Sequence, residues 1–226
     1  MTDCAPMDIV VIEGSPRRGG NTAQLAALMT ERLRQSGACP ERFSVAEQYF
    51  APCNGCNACL KSGECVLVGD GEGRRTGSVS GDRSDAMGAL YQAIESCAAL
   101  LWAAPLYFAS VPAQLKALID RLQIYYGRRL LYGKPDAPRR PAVAVILGAG
   151  GDPFGAQAAS VTLRSASQIA EFTLADPLVI FGADAPGDIT GTRLAPERTA
   201  ALALADSLQQ RAEEWMRMQT QVSGDA

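Results

Sequence analysis

The 226-residue sequence contains no histidine. That absence removes every Ser/His or Cys/His catalytic pair, every His-ligated zinc and every haem held by a proximal His. Neither sign of charge is in excess: 21 Lys plus Arg face 24 Asp plus Glu, a net charge of -3. No cationic footprint for a polyanion results, which counts against a nucleic-acid partner. Long apolar runs are missing too. The longest uncharged stretch, from Ser96 to Leu115, is interrupted by Pro105, Ser110, Pro112 and Gln114, and reads as a buried strand entering a turn, not a membrane span. Met1 to Met7 carries Asp3 and no basic segment leading into an apolar run, which predicts a chain retained in the cytoplasm. Whatever chemistry occurs must use thiols, carboxylates, hydroxyls, Lys, Arg, backbone dipoles or a borrowed cofactor. Seven cysteines without an export signal point to a reducing compartment, where clustered thiols are more often metal ligands or redox groups than disulfides.

Short aliphatic runs alternate with amphipathic stretches. Asp8 to Ile12, Ala99 to Ala104, Ala142 to Leu147 and Leu178 to Phe181 are near-continuously apolar, as parallel strands covered on both faces require, and a weaker strand is expected near Arg42 to Ala46. Helical periods fall on Leu25, Leu28, Met29 and Leu33, on Met87, Leu90, Tyr91 and Ile94, and on Leu115, Leu118, Ile119 and Leu122. Pro112 suits a first helical turn, and Ser84 suits an N-cap. Two more helices are expected from about Pro153 to Phe172 and from about Pro196 to Met218. Five strands and five helices in alternation predict an α/β fold of three layers: a five-stranded parallel sheet in the flavodoxin-like order 2-1-3-4-5, forming one domain over residues 1–226. Two irregular insertions, at about 48–68 and 69–82, fall at the carboxyl ends of the strands, where such sheets bind ligands.

Three loops share that edge. Gly14-Ser15-Pro16-Arg17-Arg18-Gly19-Gly20-Asn21-Thr22 joins the first strand to the first helix and offers backbone N–H groups, hydroxyls and cationic charge to a phosphate. It is neither G-x-G-x-x-G nor a Walker A loop, because Gly20-Asn21 stands where the Lys-Ser/Thr would be; a metal-free phosphate monoester fits better than a nucleoside triphosphate. Pro105-Leu106-Tyr107-Phe108-Ala109-Ser110 presents two aromatic rings after the third strand, suited to flank a flat heteroaromatic. Gly148-Ala149-Gly150-Gly151 permits close backbone approach after the fourth. Together they imply one ligand with a phosphate and a ring.

The densest signal is Cys53-x2-Cys56-x2-Cys59-x5-Cys65. Two-residue gaps let three thiolates of one tight loop converge, and the longer gap, containing Gly63, returns the chain with a fourth. Ferredoxins use the same opening rhythm for cubane iron-sulfur clusters. Zinc and free thiols are the alternatives, although structural zinc sites usually pair two knuckles across a long spacer. Cys4, Cys39 and Cys97 lie outside this spacing and read as partly buried thiols.

GSPRRGGNT, the segment APLYFASVPAQLKALIDRL and the compact cysteine loop together resemble the iron-sulfur flavoproteins, a branch of the NADPH-dependent FMN reductase group with a flavodoxin-like fold. The resemblance spans roughly Ile9 to Gly151, and only the cysteine spacing singles out the iron-sulfur branch. It implies that Ser15, Arg17, Asn21 and Thr22 hold the phosphate of FMN, that Pro105, Leu106, Tyr107 and Phe108 with Gly150 and Gly151 frame the isoalloxazine, and that Cys53, Cys56, Cys59 and Cys65 ligate a 4Fe-4S cluster. It also implies a homodimer or homotetramer with Tyr107, Tyr125 and Tyr126 near an interface, and a redox partner such as a ferredoxin-type protein or NAD(P)H with a small-molecule acceptor. Relatives often carry an acidic pair soon after the last cysteine; here Asp70 and Glu72 are separated by Gly71 and lead into a Gly/Arg/Ser-rich stretch. The expected function is an oxidoreductase passing electrons between cluster and FMN. Its rivals are a cluster-free NAD(P)H-dependent FMN or quinone reductase and a phosphate-binding module with a zinc-stabilised loop. No residue is assigned as acid or base.

Overall fold

The computed structural model describes residues 9–68 and 84–224. Cys4 and the 69–82 insertion lie outside the described residues. The elements run β1 (Ile9–Glu13), α1 (Asn21–Gln35), β2 (Pro40–Ser44), α2 (Cys59–Ser62), α3 (Met87–Ser96), β3 (Ala99–Pro105), α4 (Ala113–Arg121), α5 (Gln123–Tyr132), β4 (Arg140–Gly148), α6 (Gln157–Ile169), β5 (Phe172–Leu174), β6 (Leu178–Phe181) and α7 (Ala195–Gly224). All pairings are parallel and the sheet order is β2-β1-β3-β4-β5, with β6 also on β4.

The central strands are apolar throughout because both faces are covered. Ile9, Val11, Leu101, Val143 and Val145 pack with the stripes of α1 and α7, while Val10, Ile12, Leu100, Trp102 and Ala144 face α3, α4, α5 and α6. Trp102, fully buried mid-sheet, donates its indole N–H to Ser167 Oγ at 2.9 Å, so the bulkiest core group leaves no orphaned donor.

Four expectations need correction. The fifth sheet position is shared by two short strands. β5 pairs with Arg140–Ala142 and β6 with Val145–Gly148, and between them the chain passes through Ala175, Asp176 and Pro177, the last without an N–H for the ladder. Strict helix-strand alternation also fails, since α2 intervenes before α3 and the helix after β3 continues past Leu122 as α5. At that joint Leu122 and Tyr125 donate to carbonyls three residues back, a local tightening that separates α4 from α5. Finally, Asp85 Oδ1, not Ser84, accepts the Met87 N–H at the start of α3, and Cys39 is disulfide-bonded and not a free thiol. Among the described residues no helix is long and apolar enough to cross a membrane.

Candidate functional site

At the end of β1 the Gly14 N–H donates to Ala103 O at 2.8 Å, and a Cβ at Gly14 would lie 2.3 Å from Leu115 Cδ2. A glycine is therefore needed for the strand to turn against α4. The buried Ser15 hydroxyl accepts from the Arg17 N–H at 3.2 Å and donates to Arg17 O at 3.1 Å. It shapes the loop from within. Gly19 has φ +69° and open space around it, and no side chain or first-turn carboxylate caps α1. The helix N-terminus is thus left open to an anion. Thr22 is buried in the first turn, and Arg17 is exposed at the rim.

Asn21 departs from the expected role. Its Nδ2 donates to Ala185 O at 2.8 Å, and its Oδ1 accepts from the Ile189 N–H at 3.3 Å. The amide fastens the segment after β6 beside the cradle, so its contribution to an anion is its place at the start of α1.

The loop after β3 is a tight turn. Tyr107 and Ser110 exchange backbone hydrogen bonds of 2.8 and 3.0 Å, and the residues between them, Phe108 at φ +49° and Ala109 at φ +57°, are both left-handed. That is the backbone of a type I′ turn, occupied here without glycine. Such strain is concentrated at functional sites. Phe108 is 99% exposed, and the Arg17 guanidinium stands 6.0 Å from the centre of the Tyr107 ring. The Leu106 N–H donates to Leu147 O at 2.7 Å, and Gly148 is packed so closely on Leu106 that a Cβ would meet it at 3.2 Å. Gly150 and Gly151 follow at φ +101° and +83°. The three loops expected to share one ligand are therefore contiguous.

Residues 53–65 are built differently. Gly55 and Asn57 have φ +69° and +59°, Asn54 Oδ1 accepts the Cys56 N–H, and Gly63 at φ +73° closes α2 by donating to Cys59 O. Gly and Asn at left-handed positions curl the chain tightly. Cys53, Cys56, Cys59 and Cys65 line one partly open cavity of about 30 Å³ with Asp120, Arg121, Gln123 and Ile124. All four are free thiols; Cys53 and Cys56 are exposed, Cys59 and Cys65 partly buried. Burial pushes the Cys59 thiol up, and Cys65, Cys53 and Cys56 push it further, in that order. Among the described residues no three His, Cys, Asp or Glu side chains are grouped closely enough to hold a single ion.

Two residues not singled out from the sequence seat this loop. Gly127 of α5 lies against it so closely that a Cβ would stand 2.2 Å from Cys59 O. Arg121, with no exposed side-chain surface, donates through Nη1 to Ala51 O at 3.0 Å and to Asp85 Oδ2 at 2.7 Å. Both left a trace in the sequence: a glycine inside a helical segment, and a cation three residues after Leu118 on an apolar stripe. Arg128 completes the seat by donating to Gly63 O at 2.9 Å. A further unforeseen group is Glu13, 1% exposed at the end of β1, which accepts from Arg42. Burial raises its pKa, against the lowering effects of Ser44 and Arg42.

The two regions adjoin. Pro52 lines a groove of about 1050 Å³ together with Arg18, Ala113 and Gln114, while its neighbour Cys53 lines the thiol cavity. Along α4, Ala113 at the groove and Arg121 at the cavity are about 12 Å apart at 1.5 Å per residue.

The pattern that defines the NADPH-dependent FMN reductase family matches residues 7–185. An iron-sulfur flavoprotein of Archaeoglobus fulgidus is 33% identical over 128 residues, covering 57% of this chain and 51% of its own. An iron-sulfur flavoprotein of Methanosarcina thermophila is 30% identical over 115 residues, covering 51% of this chain and 52% of its own. The matched region spans about half the length of these relatives. Among solved structures, the NAD(P)H:quinone oxidoreductase from Methanothermobacter marburgensis superposes with a TM-score of 0.61 at 19% identity, over 91% of this chain and 95% of that one, a likeness of fold.

Proposed function

The chain belongs to the NADPH-dependent FMN reductase family, and from that membership we propose that it is a flavin-dependent oxidoreductase passing electrons between FMN and a 4Fe-4S cluster. FMN, when bound, supplies two-electron and one-electron chemistry, and the cluster supplies one-electron chemistry. The open N-terminus of α1, with Ser15, Arg17, Asn21 and Thr22, receives the FMN phosphate. Pro105, Leu106, Tyr107 and Phe108, with Gly150 and Gly151, border the ring. Cys53, Cys56, Cys59 and Cys65 ligate the cluster.

The observation that carries this reading is the presence of four free thiols around one cavity, next to a groove that Pro52 and Arg18 line together. A cubane spaces its ligand sulfurs more widely than one tetrahedral ion does, which favours a cluster over zinc for thiols arranged around a cavity wall. The cavity has room for about two waters, so holding a cluster there would require residues 53–57, the exposed part of the loop, to make room for it. The partners that fit are NAD(P)H or a ferredoxin-type protein and a small-molecule acceptor.

The test is iron, acid-labile sulfide and flavin per chain after anaerobic purification, in the wild type and in Cys56→Ser. Four iron and four sulfide per chain with one FMN are expected for a cubane protein, with the broad iron-sulfur absorbance lost and FMN kept in Cys56→Ser. Flavin without iron in the wild type would leave the cluster-free reductase, and zinc without flavin the binding module.

A further inference from the structure

The cavity wall opposite the exposed cysteines carries a charge with unused hydrogen-bonding capacity. Arg121 is fully buried and lines that cavity. Among the described residues only Nη1 is engaged, with Ala51 O and Asp85 Oδ2, and the buried Nε and Nη2 meet no partner there. Buried guanidinium nitrogens are rarely left this way, because each unmade bond forfeits the hydration lost on folding. Among the described residues Asp85 is the carboxylate that pairs with it. Arg121 is also fixed from behind, since its backbone carbonyl accepts the Tyr91 hydroxyl at 2.7 Å.

We propose that Arg121 is the positioning and charge-compensating residue of the thiol cavity: its free N–H groups donate to cluster or cysteinyl sulfur, and its buried charge makes the cluster easier to reduce. This rests on the reading of residues 53–65 as a cluster loop. Four thiolates around a cubane leave a net negative charge that grows by one on reduction, so a fixed cation and N–H···S bonds favour the reduced form. A water-exposed cation would be screened; one with no exposed side-chain surface is not. The arrangement also gives Asp85 an opposing role. It holds Arg121 in place, and its own negative charge offsets part of the cation's effect.

The experiment is a redox titration of the reconstituted full chain, following the reduced cluster by electron paramagnetic resonance. In Arg121→Met the reduced-to-oxidised ratio, poised at the wild-type midpoint, is expected to fall about tenfold, equivalent to 59 mV for one electron. Arg121→Lys, which keeps the charge, should fall less than threefold. Asp85→Asn should shift the other way, with the ratio rising about threefold. Should Arg121→Met fail to fold or to load, Asp85→Asn decides: a lower or unchanged ratio in that variant overturns the proposal, as does a fall in Arg121→Lys of tenfold or more. A structural brace alone would alter cluster occupancy while leaving the potential of the loaded fraction unmoved, which also overturns it. Absence of iron and sulfide from the wild type is a separate result and refutes the cluster reading itself.

Discussion

The three loops at the sheet edge and the cysteine loop are positioned by opposite means. Each sheet-edge loop is the direct continuation of a buried strand: Gly14 follows β1, Leu106 follows β3 and Ala149 follows β4, and backbone hydrogen bonds such as Leu106 N–H to Leu147 O tie one to the next. Their geometry is inherited from a ladder that cannot slip. The cysteine loop follows no strand directly. It is held from outside, by Gly127 beneath Cys59, by Arg128 on Gly63 and by Arg121 on Ala51. Precision at the first site comes from the sheet, with strain concentrated at Phe108 and Ala109. At the second it comes from side chains of the α4–α5 rod, with glycine and asparagine at three of the tight bends.

The largest expected effect tests that outside support. Gly127→Ala puts a methyl into Cys59 O and should cost about 2–3 kcal/mol in seating the loop, as overpacking of a close contact does. Iron per chain after reconstitution should drop to a small fraction of wild type while FMN remains stoichiometric. Equal loss of both cofactors would show that the two regions are not independently supported.

Asn21→Ala probes the other side. Losing the bonds to Ala185 and Ile189 frees the segment after β6, and FMN affinity, read by titrating the apoprotein, should weaken by about 1–2 kcal/mol. Unchanged affinity with faster proteolysis near residues 183–190 would confine the amide to scaffolding.

Phe108→Gly relieves one left-handed residue and should stabilise the apoprotein to thermal unfolding by about 1 kcal/mol, while weakening FMN binding. Stabilisation without weaker binding would detach the exposed ring from the flavin.

The smallest effect belongs to Glu13. Its folded pKa lies above the ordinary 4.5, so the folded state binds the proton more tightly and stability falls as pH rises from that value through the raised one. Glu13→Gln should flatten this slope, changing stability by less than about 1 kcal/mol in thermal melts across the acidic range. A slope that persists assigns the titration to another carboxylate.

The sheet order was legible because buried parallel strands write uninterrupted apolar runs and leave few topologies. The split of the fifth position was less so: Phe172 to Leu174 is too short to carry a period, and only Pro177 hinted at a break. Helix α5 was missed because Gln123, Gly127 and Arg128 dilute its apolar stripe, and its exposed Tyr126, Leu130 and Tyr132 supply no buried face to read. At the site, the four cysteines announced themselves by spacing. Arg121, Gly127 and Asp85 could not, because their roles come from residues 36 to 70 positions away along the chain. Asn21 was read as an anion ligand from its loop, yet its amide answers to Ala185, 164 residues on.

The contact of Gly127 with Cys59 makes the thirteen-residue cysteine segment less portable than its compact spelling suggests. Grafted into another protein of this fold, it would meet whatever side chain stands in place of Gly127, and any Cβ there would strike the Cys59 carbonyl. A transplant that succeeds must carry the glycine with it, so the inheritable unit is the loop together with its distant landing pad.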